Sequence, residues 1–126
     1  MPYLIDSDVL IDISRGIRAA GEYVDAVTEA WAISQVSTLE LIVGARDKRD
    51  LANIDTFLSA YVIMPLRDST GKKAYELLKL HGKPHGLHVF DSLIAATAIE
   101  EDLTLVTRNR RHFDIIKGLR LQIPSY

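Results

Sequence analysis

The chain has 126 residues, 48% hydrophobic and 25% charged, with a formal net charge of −2; this suits one domain with an ordinary core and excludes a disordered chain. The absence of cysteine removes disulfide scaffolds, zinc–thiolate sites, iron–sulfur clusters and thiol nucleophiles. The slightly acidic balance removes a globally basic nucleic-acid coat, so any such binding uses a local patch.

Tyr3–Leu4–Ile5 is a short apolar run that ends at an acid, Asp6, and reads as a buried strand. A helix starts over 9–13 and closes near Gly16. Over 17–29, Ala20, Tyr23, Val24 and Val27 give the i, i+3, i+4, i+7 spacing of an amphipathic helix. Trp31–Ala32–Ile33 is a second strand. Helices follow over 37–46, with Leu39, Ile42, Val43 and Ala45 apolar, and over 49–61, carrying Leu51, Ile54, Phe57 and Leu58. Residues 61–64 read as a strand stopped by Pro65. Residues 69–81 read as a helix with Ala74, Leu77, Leu78 and Tyr75 inward. Gly82–Lys83–Pro84–His85–Gly86 is a loop on its composition. Residues 88–102 form an apolar, central helix, 103–107 a strand, 109–116 a short helix and 121–123 a last strand.

Strands alternating with helices imply an α/β sandwich with a mainly parallel sheet. Ligands of such sheets sit beyond the carboxyl ends of the strands, where Asp6 and Thr107 both fall. No apolar run approaches the ~20 residues that span a membrane. The segment from Met1 and Pro2 to Asp6 lacks a basic n-region and an h-region, so a cytoplasmic protein is expected.

Asp6, Asp8, Glu40 and Asp91 sit among apolar neighbours. An ionised carboxylate buried without a partner is very costly, so each is paired, capping, solvent-facing or bound to a cation. Structural explanations exist for each. Ser37–Thr38–Leu39–Glu40 has capping-box spacing, Asp91 suits an N-cap, Asp6–Ser7–Asp8 suits a turn, and Asp12 is a solvated or capping acid. The functional alternative takes the acids together, because clustered carboxylates at a strand rim supply the oxygen ligands a hard divalent cation needs. No His pair at i, i+4 in a convincing helix, nucleophile elbow, Walker loop or dinucleotide fingerprint competes.

Four blocks of the chain resemble PIN-domain ribonucleases, most closely VapC-type toxins of toxin–antitoxin pairs: residues 3–11, 37–45, 91–98 and 105–113. The resemblance implies one domain over 1–126, a PIN-like three-layer sandwich with a central, mainly parallel sheet flanked by helices. It implies a metal-dependent endoribonuclease, the toxin of a type II system, using Mg²⁺ or, as a substitute, Mn²⁺. Asp6, Glu40 and Asp91 match the family's acids and are expected as ligands. The family often has Asp where Asn109 stands, and Asp8 stands where it more often has Asn. Thr107 and Ser7 match hydroxyl positions that orient a carboxylate or water. The implied partners are RNA, a cognate antitoxin and a second copy of the chain.

Residues 108–120 carry five cations, Arg108, Arg110, Arg111, Lys117 and Arg120, against Asp114 alone. Arg108, Arg110 and Arg111 adjoin the expected site and are candidates for RNA phosphates; a solvated helix face is the competing explanation. Lys83 and His85 are further candidates for RNA contact. No catalytic role is assigned to His81, His85, His88 or His112. Tyr23, Val27, Trp31, Phe57 and Leu58 suit either an antitoxin groove or the core. Two other functions fit parts of the pattern. Leu4–Ile5–Asp6–Ser7–Asp8–Val9 resembles the nucleophile strand of haloacid-dehalogenase-type phosphatases, and Asn109 is compatible with a non-catalytic PIN-like binding module.

Overall fold

The computed structural model describes residues 3–27 and 31–126. Met1 and Pro2, and Thr28 and Glu29 of the helix expected over 17–29, lie outside the described residues. In chain order the elements are β1 (Tyr3–Ile5), α1 (Ser7–Ser14), α2 (Arg18–Asp25), β2 (Trp31–Ser34), α3 (Gln35–Val43), α4 (Lys48–Leu58), β3 (Val62–Met64), α5 (Asp68–His85), α6 (Val89–Glu100), β4 (Thr104–Val106), α7 (Arg110–Phe113) and β5 (Leu121–Gln122). The strands form one sheet in the order β3-β2-β1-β4-β5, and every pairing is parallel.

Alternation along the central strands sends neighbouring residues to opposite faces. Leu4, Ala32 and Leu105 pack with Ala74 and Leu77 of α5 and Ile94, Ala95 and Ala98 of α6. Ile5 and Ile33 pack on the other face with Val9 and Leu10 of α1, Val24 of α2 and Leu58 of α4. The result is the expected three-layer α/β sandwich. Alanines on the inner side of α6 let that helix lie close to the strands. Thr70 Oγ1 donates to Glu100 Oε1 at 2.6 Å and Arg67 pairs with Glu101 at 3.1 Å, tying the start of α5 to the end of α6.

Several elements differ from their expected form. Residues 82–85 are the last turn of α5 rather than a loop, with Pro84 inside it. A proline there removes only one late hydrogen bond, and its fixed φ is compatible with a helix. The stop comes at Gly86, whose φ of +73° is left-handed; its amide donates to Gly82 O at 2.9 Å, and Leu87 donates to His81 O at 3.2 Å. Lys83 and His85 therefore stand on a helix end. Tyr75 points outward at 65% exposure, and Leu39, Ile42, Val43 and Leu51 are exposed on α3 and α4. Helical spacing identifies an apolar stripe but not which stripe meets the sheet.

Gly86→Ala should destabilise the fold by about 1 kcal/mol, because alanine resists the left-handed conformation. Gly82→Ala should be neutral or stabilising, since its added Cβ meets nothing nearer than the Leu78 side chain at 3.7 Å. Urea denaturation of the two variants checks this contrast.

Candidate active site

Three adjacent parallel strands end at one rim. β1 stops at Ile5, and Asp6 caps α1: its Oδ1 accepts from the Ser7 amide at 2.8 Å. The Asp6 amide meanwhile donates to Val106 O at 2.9 Å, keeping Asp6 in register with the end of β4. Thr107, the next residue on that strand, donates its hydroxyl to Asp6 Oδ2 at 2.7 Å. Thr107 Oγ1 also accepts from the Asn109 amide at 2.9 Å. Asp6 is 5% exposed.

Glu40 arrives from the third strand. β2 runs directly into α3, capped by Ser34, whose Oγ accepts from Val36 N at 3.1 Å. The helix thus begins at Gln35, and the expected Ser37–Glu40 capping box does not form. Glu40 lies further along the helix and accepts from Ser7 Oγ at 2.6 Å. Ser37 Oγ lies 2.8 Å from Ser7 Oγ. Because the single Ser7 hydroxyl hydrogen goes to Glu40, Ser37 is the donor in that pair.

Asp91 lies in the first turn of α6, which His88 and not Asp91 caps. Its Oδ2 is 3.1 Å from His112 Nδ1, and the same nitrogen is 2.8 Å from Asn109 Nδ2. Asp8 accepts from Val9 N at 2.7 Å and from Arg108 N at 3.0 Å. Asp12 caps no helix; partly exposed, it accepts from Arg108 Nη1 and from Tyr126 Oη, both at 2.8 Å.

Burial is the largest influence on Asp6 and pushes its pKa up to about 7, with further increases from the negative charges of Asp8 and Asp91; bonds from Thr107 and Ser7 pull the other way without prevailing. Burial also raises Asp8. The site is therefore a concentration of negative charge served by neutral donors. Asp6, Glu40, Asp91, Thr107 and Asn109 all come to this rim, together with Asp8 and Ser7. Among the described residues, no three acidic or imidazole side chains already stand close enough to chelate one ion between them.

The three candidate arginines separate. Arg108 is occupied by Asp12 and lies 5.5 Å from the centroid of the Tyr126 ring. Arg110 has a loose contact with Asp114 at 3.9 Å, and Arg111 is exposed. Leu58 is buried and Tyr23 and Trp31 pack against the same cluster, so these groove candidates serve the core, whereas Phe57 packs on that cluster and also lines an open groove. His112 is the site residue that the sequence left without a role. It stands in the block at 105–113, but its contact with Asp91 crosses 21 positions and leaves no periodic trace.

The chain belongs to the PIN domain family, whose model matches residues 3–119. Among characterised relatives it is similar to ribonuclease VapC10 of Mycobacterium tuberculosis (strain CDC 1551 / Oshkosh), with 34% identity over 93% of this chain and 90% of that protein. It is also similar to the tRNA(fMet)-specific endonuclease VapC of Shigella flexneri, with 36% identity over 71% of this chain and 72% of that protein. Among solved structures, the complex of VapBC2 from Rickettsia felis with a promoter DNA fragment contains a chain matching with a TM-score of 0.85 and 26% identity, covering 98% of each chain. A toxin–antitoxin complex from Klebsiella pneumoniae matches with a TM-score of 0.78 and 29% identity, over 93% of this chain and 94% of that one.

Asp6 provides a test of the charge argument. Its folded pKa of about 7 lies above the ordinary value of 3.8, so ionisation opposes folding and stability is lost as pH rises from about 4 to about 7. Asp6→Asn should therefore stabilise the metal-free protein at pH 8 by on the order of 1–3 kcal/mol after the cost of weaker capping, and so raise its melting temperature. The gain should shrink steadily toward pH 4. Calorimetric melts across that range decide it; a variant less stable than the parent at pH 8 contradicts the charge argument.

Proposed function

We propose that the protein is a divalent-metal-dependent endoribonuclease acting as the toxin of a type II toxin–antitoxin pair. The observation that carries this reading is the buried Asp6 carboxylate, held beside Asp8 and Asp91 at the shared rim of β1, β2 and β4. The chemistry suits the family, and the relatives named above are ribonucleases.

The donor set fits a hard cation such as Mg²⁺ or Mn²⁺. Asp6 and Asp91 are the carboxylates to hold it, with Glu40 as a ligand or a group that positions water. Since three side chains do not close on one point, binding through one or two carboxylates and retained waters suits the rim, a mode common for Mg²⁺. A divalent ion held there would supply Lewis-acid activation of water and positive charge toward the scissile phosphate. Thr107 and Ser7 hold Asp6 and Glu40 in orientation through the bonds described above. Arg110 and Arg111 attract backbone phosphates toward the rim.

The phosphatase alternative is poorly served by the same geometry. Both Asp6 oxygens are engaged, by Ser7 N and by Thr107 Oγ1, and burial favours its protonated form, the wrong state for a nucleophile.

A cognate antitoxin belongs to this reading, since the structural neighbours include VapBC complexes. An open groove between α1, α3 and α4 suits an amphipathic segment: Ile13, Leu41, Ile54 and Phe57 give it an apolar floor, Arg15 and Arg46 charge its edge, and Glu40 lies at its inner side. Cytoplasmic action and a homodimer complete the proposal. No helix among the described residues is long and apolar enough to cross a membrane.

Total RNA incubated with the protein and Mg²⁺ or Mn²⁺ should give discrete cleavage products that EDTA abolishes. Asp91→Asn should keep the melting temperature within a few degrees and lower the cleavage rate at least ~100-fold, the scale of losing transition-state charge stabilisation. Cutting by Asp91→Asn at the parental rate, or cutting unaffected by EDTA, overturns the proposal.

A further inference from the structure

Asn109 brings no charge to the site, and an imidazole stands three residues further on, on the single turn of α7. That turn is firmly seated, because Phe113 is fully buried in the larger core cluster and Ile116 nearly so. His112 therefore projects toward the rim from a fixed base. Its ring also meets the His88 ring edge-on, with centroids 5.4 Å apart.

His112 Nδ1 stands between two polar groups, Asp91 Oδ2 at 3.1 Å and the Asn109 side-chain amide at 2.8 Å. An ionised Asp91 can only accept, so its contact requires the hydrogen on Nδ1. With that hydrogen in place Nδ1 has no lone pair for the Asn109 amide nitrogen, so the amide, whose two ends are exchangeable by a flip, presents its oxygen and shares the hydrogen with Asp91. A continuous path results. Asp6 Oδ2 accepts from Thr107 at 2.7 Å, Thr107 accepts from the Asn109 amide at 2.9 Å, the Asn109 side chain meets His112 at 2.8 Å, and His112 meets Asp91 at 3.1 Å. The path joins the carboxylate launched by β1 to the carboxylate on α6, two elements that share no covalent proximity.

We propose that His112 is a positioning residue, which pins Asp91 through Nδ1 and so sets the separation of Asp91 from Asp6 for a divalent cation. This rests on the metal-dependent reading above. With Oδ2 held by the ring, Asp91 Oδ1 has no protein hydrogen-bond partner among the described residues and is the oxygen left to face a cation. Without the ring, Asp91 regains its other rotamers, and part of the binding free energy goes into reordering it. Partners that orient a metal-binding carboxylate typically change metal affinity 10–100-fold.

The test is a calorimetric titration of the metal-free protein with Mn²⁺, comparing the parent with His112→Ala, His112→Asn and His112→Gln. The Asn side chain places a nitrogen near Nδ1, whereas Gln places one near Nε2. Ala and Gln should each lose at least ~10-fold in affinity while Asn stays within about 3-fold of the parent, with melting temperatures unchanged. Saturating Mn²⁺ should restore RNA cleavage to His112→Ala but not to Asp91→Asn. Parental affinity in His112→Ala, or equal loss in all three variants, overturns the proposal. Nitrogen-15 spectra of the metal-free protein give a second decision: the hydrogen should lie on Nδ1 and its resonance should move in Asp91→Asn, and a bare Nδ1 overturns the proposal. A parent that binds no Mn²⁺ refutes the metal-dependent reading instead, and the spectra still settle the pairing.

Discussion

The structure is organised around a carboxylate that ought not to be buried. Asp6 sits at the carboxyl end of the central strand with neutral donors on both oxygens and negative neighbours beyond them. Two neutral hydrogen bonds recover part of the hydration that burial removes, but not all of it, and two nearby anions oppose the charge further. A folded chain therefore carries a local free-energy deficit at neutral pH. On the proposed metal-dependent reading, a divalent cation would relieve this deficit by displacing a proton and screening the repulsion, which would link metal binding to folding in sign.

Only some topologies can build such a site. In a parallel sheet every strand ends at the same edge, so residues distant in sequence reach one rim without any long loop. β1 lies between β2 and β4, so its last residue is flanked by the two strands that contribute Ser34 with α3, and Thr107. The immediate passage from β2 to α3 swings Glu40 back over the end of β1. The helix α6 crosses the sheet on small side chains and brings Asp91 to the same edge. An antiparallel arrangement would have sent half of these ends to the opposite side.

The layered fold and the meeting of Asp6 with Thr107 were legible in the sequence, because strand alternation and parallel connectivity are local patterns with global consequences. The same cannot be said of Glu40. Ser37 and Glu40 have the spacing of a capping box whether or not a helix starts there, and the deciding fact is that Ser34 caps first and Ser7 claims the carboxylate. Pro84 misleads for a related reason: proline and glycine mark helix ends by composition, yet a proline in the final turn costs a single bond, and the stop falls on the left-handed Gly86. The outward faces of α3 and Tyr75 show that apolar periodicity gives a stripe without its direction. His112 was invisible because its meaning lies in a contact with another element.

The positive patch also changes meaning once folded. Of the cations between 108 and 120, Arg108 is spent on Asp12 and Tyr126, where it locks the residues after β4 and β5 onto α1. Arg110 and Arg111 remain at the surface of α7. At physiological ionic strength charges act over only about 8 Å, so an exposed arginine aids a phosphate only when it stands beside the reacting group. The one turn that points His112 at Asp91 also presents those two guanidinium groups, and Phe113 anchors both functions in the core. On the proposed reading, attraction of a polyanion and the placement of an acid would be carried by the same four-residue element, and a shift of that turn would move both together.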